Sequence, residues 1–189
     1  MSQETVKLSK FLSYVLRHRP DEIGLHLDGQ GWVNVEYLLK QANAHNVHLT
    51  QALLEEIVAA NNKQRFSFSN DSQKIRANQG HSVAIDLGLE PQIPPVVLYH
   101  GTALHFLESI FATGIHPGNR HHVHLSRDTK TALKVGRRHG EPVVLQVAAQ
   151  QMHANGHLFF CSDNGVWLTD QVAPPYLTQL YEAQLNETH

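Results

Sequence analysis

Apolar residues Leu8, Phe11, Leu12, Val15 and Leu16 recur at the three-and-four spacing of an amphipathic helix, and the pattern stops at Arg17-His18-Arg19-Pro20. The same spacing returns over Val35 to Ala44. It appears again behind Thr50, whose hydroxyl is placed to cap a helix carrying Leu53, Leu54, Ile57 and Val58 on one face, with Asn61 and Asn62 expected to end it. Between the first two helices, Leu25-His26-Leu27 predicts a short strand entering a turn at Asp28-Gly29, followed by Gly31-Trp32-Val33. The period then changes to two: Arg65-Phe66-Ser67-Phe68 alternates, Asn70-Asp71-Ser72 turns, and Lys74-Ile75-Arg76-Ala77 returns as the hairpin partner. Helices followed by such a hairpin predict a winged helix.

Leu89-Glu90-Pro91-Gln92-Ile93-Pro94-Pro95 is a proline-rich joint, so the expected organisation is a lobe over 1–90, a linker at 91–95 and a second lobe over 96–189. The second half opens with a buried-type strand, Val96 to Tyr99. It leads through His100-Gly101-Thr102 into a helix with Phe106, Leu107, Ile110 and Phe111, which Gly114 closes. A strand at Val123 to Ser126 and a helix from Thr129 to Val135 follow. Strands are then expected at Pro142 to Val147, Phe159 to Cys161 and Val166 to Thr169. The fold class is α+β, with a split, mostly antiparallel sheet in the second half.

Composition narrows the chemistry. With 189 residues, 41% of them hydrophobic, the chain is long enough for one generous core or two small ones. A formal net charge of -2 offers no long-range basic field, so any nucleic-acid site must be a local patch. The single Cys161 makes neither an internal disulfide nor a zinc knuckle and suits a reducing compartment. The N-terminal residues lack an apolar signal core and no stretch is apolar enough to span a bilayer, so a cytoplasmic location without membrane association is expected. The chain contains no P-loop, no Gly-x-Gly-x-x-Gly after a strand and no Gly-x-Ser-x-Gly elbow, which argues against kinase, Rossmann and serine-hydrolase chemistry.

In a winged helix the second helix of the helix-turn-helix would read DNA, but Thr50-Gln51-Ala52-Leu53-Leu54-Glu55-Glu56 carries two acids and neither Lys nor Arg. The cations lie instead at Arg17, His18 and Arg19 and around the wing at Lys63, Arg65, Lys74 and Arg76. That arrangement favours a small anion in a pocket over a duplex in a groove. The first cluster also reads as cations matched to a helix dipole, with Pro20 ending the helix. His100-Gly101-Thr102 reads as a tight turn where glycine lets the backbone approach a ligand, or as an ordinary strand-to-helix turn capped by Thr102. His122 and His124 share one strand face, a spacing that could hold zinc. The absence of a Cys pair or a spaced carboxylate favours His124 and Ser126 facing a ligand cleft. Gly136-Arg137-Arg138-His139-Gly140 is a solvated basic loop or a contact for a polynucleotide phosphate.

Several of these segments, taken in order, closely resemble the RNA 2′-phosphotransferase (KptA) family. They are Leu8 to His18, Gly31-Trp32-Val33, Lys63 to Phe66, Ile75 to Ser82, Tyr99-His100-Gly101-Thr102, Arg120 to Ser126 and Asn164 to Thr169. The resemblance covers nearly the whole chain. It implies an NAD-dependent enzyme that removes an internal 2′-phosphate from RNA, the mark of a tRNA-like splice junction. It also implies an N-terminal winged-helix RNA lobe and a C-terminal ADP-ribosyltransferase-like lobe. Carried over by motif, the catalytic set falls on Arg17, His18, Arg65 and Arg120. The NAD-binding set falls on His100, Gly101, Thr102, His124, Leu125 and Ser126. NAD is expected as a consumed co-substrate, with no metal.

The implied chemistry suits these residue types. A 2′-phosphate, with a second pKa of about 6, is largely ionised at neutrality and can attack C1″ of the nicotinamide ribose without a strong base. The resulting 2′-phospho-ADP-ribosylated RNA then yields 2′-hydroxyl RNA and ADP-ribose 1″,2″-cyclic phosphate, a transfer that guanidinium groups assist by positioning and charge. Related protein-modifying ADP-ribosyltransferases carry a glutamate where this chain has Gly165-Val166-Trp167, and a phosphate nucleophile does not need that base. Two other readings use the same features: an ADP-ribosyltransferase acting on terminal RNA or DNA phosphates, and an NAD-sensing winged-helix DNA-binding regulator.

Overall fold

The computed structural model describes residues 3–60 and 64–181, and the chain divides into two units, Met1–Gly88 and Leu89–His189. In the first unit the elements run α1 (Gln3–Arg17), a 3-10 turn at Pro20–Ile23, β1 (Val33–Asn34), α2 (Val35–Ala44), α3 (Gln51–Ala59), β2 (Phe66–Phe68) and β3 (Lys74–Ala77). Asn34 and Thr50 cap the second and third helices, their side-chain oxygens accepting from Tyr37 N at 3.0 Å and Leu53 N at 3.2 Å. The apolar stripes converge: Leu12, Leu16, Leu38, Leu54, Ile57 and Ile75 are fully buried in one cluster. Each such side chain contributes roughly 1.5–3 kcal/mol of burial free energy. β2 and β3 form the expected antiparallel hairpin, Phe66 opposite Ala77 and Phe68 opposite Ile75, and β1 adds to the other side of β3. Asn61, Asn62 and Lys63 lie outside the described residues.

One predicted element of this unit is absent. Leu25 to Leu27 is irregular backbone, although Leu25 is buried and Leu27 packs on the core. Alternation there reports burial without a strand to pair with. The turn that follows is fastened by Asp28, whose carboxylate accepts from Gln30 N at 3.0 Å and Trp32 N at 2.9 Å.

The second unit contains β4 (Leu98–Ala103), a 3-10 turn at Leu104–Phe106, α4 (Leu107–Thr113), β5 (Val123–Leu125) and α5 (Thr129–Gly136). They are followed by β6 (Pro142–Val147), α6 (Ala149–Ala154), β7 (Phe160–Cys161), β8 (Trp167–Thr169) and β9 (Leu177–Leu180). The strands make two three-stranded antiparallel sheets, ordered β4-β6-β9 and β5-β8-β7, with a bridge between Tyr99 and Ser126 linking them among the described residues. With the sheet of the first unit, this is a mixed α+β protein built on small antiparallel sheets. No helix among the described residues is long and apolar enough to cross a membrane.

The structure corrects the reading of His100-Gly101-Thr102 as a turn. These residues lie inside β4, which begins at Leu98 and pairs residue for residue with β6, His100 opposite Leu145 and Thr102 opposite Val143. Gly101 serves helix packing here: a Cβ on it would sit 1.7 Å from the Ala132 carbonyl oxygen of α5, and one on Gly136 would sit 2.5 Å from the Thr102 carbonyl oxygen. Strand and helix backbones touch because both lack a side chain at the crossing.

Candidate active site

The expected phosphate ligands of the first unit sit where α1 ends and the hairpin begins. Arg17 is the last residue of α1, half-buried, with Nε and Nη2 shut off from solvent. A cation at this helix terminus is favoured by the dipole, which holds the guanidinium in place without excluding a ligand role. His18 follows, its N–H bonded to Tyr14 O at 2.9 Å and its ring Nδ1 lying 3.0 Å from Ser82 Oγ. Arg65 is half-buried immediately before β2. The segment Asn78–Ser82 ties these places together: Asn78 N donates to Arg65 O at 2.9 Å, and Ser82 N donates to Arg17 O at 2.9 Å.

The other cations grouped with them in sequence are committed elsewhere. Arg19 pairs with Asp21 at 3.2 Å, Lys74 with Asp28 at 3.4 Å, and the Arg76 guanidinium lies 4.5 Å over the Trp32 ring while donating to Leu87 O. Lys63 is outside the described residues. Ser82 and Asn78, which sequence reasoning did not name as site residues, are the direct partners of His18 and Arg65. Their contacts span 64 and 13 residues of chain, so local pattern carried no signal of them.

In the second unit Arg120, His124 and His100 form one connected set. Arg120 lies on the loop before β5, and its Nη1 donates to His124 Nδ1 at 3.1 Å, which leaves the His124 ring proton on Nε2. His100 Nδ1 donates to the His124 carbonyl at 3.1 Å, so the neutral His100 ring keeps Nε2 as an acceptor. Burial lowers the His100 pKa from its ordinary 6.5. The bond to the His124 carbonyl opposes that effect, and the neighbouring His139 and Arg120 add to it. Burial, with Arg138 nearby, also lowers the Arg120 pKa from its ordinary value.

The remaining members of the expected NAD set divide by accessibility. Gly101 and Thr102 are buried in β4, and Leu125 is 1% exposed with its side chain in the core. His124 and Ser126 are half-buried on the face of β5 opposite Val123 and Leu125. Ser126 also exchanges both backbone bonds with Tyr99, at 2.7 and 2.9 Å. His122, on the same face as His124, approaches Asp170 at 3.7 Å and packs against the Phe160 ring.

A family model described as RNA 2′-phosphotransferase, Tpt1/KptA family, matches residues 3–171. The probable RNA 2′-phosphotransferase of Acaryochloris marina is 51% identical over 180 residues, covering 95% of this chain and 99% of the relative. That of Agrobacterium fabrum is 58% identical over 170 residues, covering 90% and 91%, and that of Herpetosiphon aurantiacus is 55% identical over 172 residues, covering 91% and 94%. Identity of this order, sustained from α1 to beyond β8 and across every segment that holds a candidate residue, places the chain in the RNA 2′-phosphotransferase, Tpt1/KptA family.

Proposed function

We propose that the protein is an NAD-dependent RNA 2′-phosphotransferase, with residues 1–90 as a winged-helix RNA lobe and 96–189 as an ADP-ribosyltransferase-like NAD lobe. The reaction removes an internal 2′-phosphate by way of 2′-phospho-ADP-ribosylated RNA, giving 2′-hydroxyl RNA, nicotinamide and ADP-ribose 1″,2″-cyclic phosphate. The observation that carries this reading is the attachment of Arg17, His18 and Arg65 to the single segment Asn78–Ser82. It anchors cations from opposite ends of the first unit's sequence on one short stretch, as a dianion would require.

Arg17, His18 and Arg65 hold the phosphate by charge-assisted hydrogen bonds. The phosphate itself is the nucleophile, which accounts for a site rich in guanidinium and poor in carboxylate. NAD supplies an electrophilic ribose carbon with a neutral leaving group. The residues of the second unit suit it: the His100 Nε2 lone pair accepts from a ribose hydroxyl, and His124 Nε2–H and the Ser126 hydroxyl donate. Arg120, oriented by His124, faces the ADP-ribose side and stabilises charge as the ribose 2″-oxygen attacks phosphorus.

Incubation with NAD and an oligonucleotide bearing one internal 2′-phosphate is expected to release nicotinamide and leave a 2′-hydroxyl. Retention of the phosphate without nicotinamide release would overturn the reading. Arg65→Ala and Arg120→Ala are each expected to slow the reaction by about 10²- to 10³-fold, the usual cost of losing one preorganised donor to a charged transition state.

A further inference from the structure

Asn78 is only 3% exposed, where a polar side chain carries a desolvation cost. Its Oδ1 has no hydrogen-bond partner among the described residues, so the amide is held there against a desolvation cost. What it secures is the backbone on either side of Arg65. Nδ2 donates to Gln64 O at 2.6 Å and the Asn78 backbone N–H donates to Arg65 O at 2.9 Å. The two carbonyls belong to the two peptide groups that flank the Arg65 Cα. A carbonyl only accepts, which fixes the amide with Nδ2 toward Gln64. Gln64 itself takes φ +40°, a left-handed conformation that a non-glycine residue holds only when its surroundings impose it.

Four residues further on, Ser82 repeats the arrangement on the other cations. Its N–H donates to Arg17 O at 2.9 Å and its Oγ meets His18 Nδ1 at 3.0 Å. We propose that Asn78–Ser82 is a positioning segment: Asn78 sets the direction in which Arg65 leaves the chain, Ser82 sets the end of α1 and the His18 ring, and the spacing of the two fixes how far apart the cations stand. This rests on the reading of Arg17, His18 and Arg65 as phosphate ligands. In it neither Asn78 nor Ser82 touches the phosphate.

The test is the affinity of a fluorescein-labelled short RNA with one internal 2′-phosphate, measured by anisotropy in the absence of NAD, with the unphosphorylated RNA as reference. Asn78→Ala and Ser82→Ala are expected to weaken binding of the phosphorylated RNA by about tenfold or more, as small displacements of positioning groups do, and to leave the reference unchanged. Ser82→Thr, which keeps the hydroxyl, should restore it. Asn78→Ala placed on Arg65→Ala should add less than about twofold, since its effect runs through Arg65. Wild-type binding in both alanine variants, or a full Asn78→Ala loss on top of Arg65→Ala, would overturn the positioning role. Wild-type binding in Arg65→Ala and Arg17→Ala would instead overturn the phosphate site itself. Ser82 is exposed, so the Ser82→Ala and Ser82→Thr pair decides the matter even if Asn78→Ala fails to fold.

Discussion

His100 shows how a single side chain is set up by its neighbours. Its Nδ1–H is bonded to the His124 carbonyl and burial disfavours its charged form, so near neutrality the ring presents an acceptor at Nε2. The sign of the linkage follows: a His whose folded pKa lies below its unfolded value binds its proton more readily in the unfolded chain. Its contribution to stability is therefore present above about pH 6.5 and is lost as pH falls through the folded pKa. Thermal melts between pH 8 and 5 should show the wild type losing more stability than His100→Gln, and equal pH dependence would contradict the assignment. The residue types at this scale were legible in the sequence; their partners were not. Arg65, Lys74 and Arg76 look alike on the hairpin, yet Lys74 is tied to Asp28 and Arg76 to Trp32, contacts that depend on how distant loops return.

At the scale of elements, helices α2 and α3 and the β2–β3 hairpin were readable because period, cap and turn residues agree within each segment. Thr50→Ala should cost about 1 kcal/mol in chemical denaturation, the usual value of a lost N-cap hydrogen bond. The crossing of α5 over β4 was hidden, because two isolated glycines do not announce that they touch. Gly101→Ala drives a methyl group into the Ala132 carbonyl, so a loss of stability of about 3 kcal/mol or more is expected, above the ordinary range for overpacking. A melting temperature unchanged by this substitution would refute the packing role. α6 and β9 were missed for a different reason. Six and four residues are too short to display a period, and each is held by contacts made elsewhere: α6 buries Ala149 and Met152, while β9 pairs with β6. Leu25 to Leu27 is the converse, a pattern of strand type with no strand beside it.

Taken whole, the molecule carries a formal charge of -2 and concentrates its candidate chemistry in a few basic residues: Arg17, His18 and Arg65, tied through backbone or ring to Asn78 and Ser82 in the first unit, and Arg120, bonded to His124, in the second. That design fits recognition of one phosphate group better than capture of a long polyanion, since affinity from counterion release grows with the number of phosphates neutralised. Membership in the RNA 2′-phosphotransferase family and this local arrangement point to the same substrate group. The most direct test is a competition in which the protein, with NAD, meets equal amounts of one RNA carrying its phosphate either internally at a 2′-oxygen or at a terminus. Loss of the internal 2′-phosphate with stoichiometric nicotinamide release is expected, and Arg17→Ala should abolish it. Accumulation of ADP-ribosylated termini with the internal 2′-phosphate left intact would contradict this expectation.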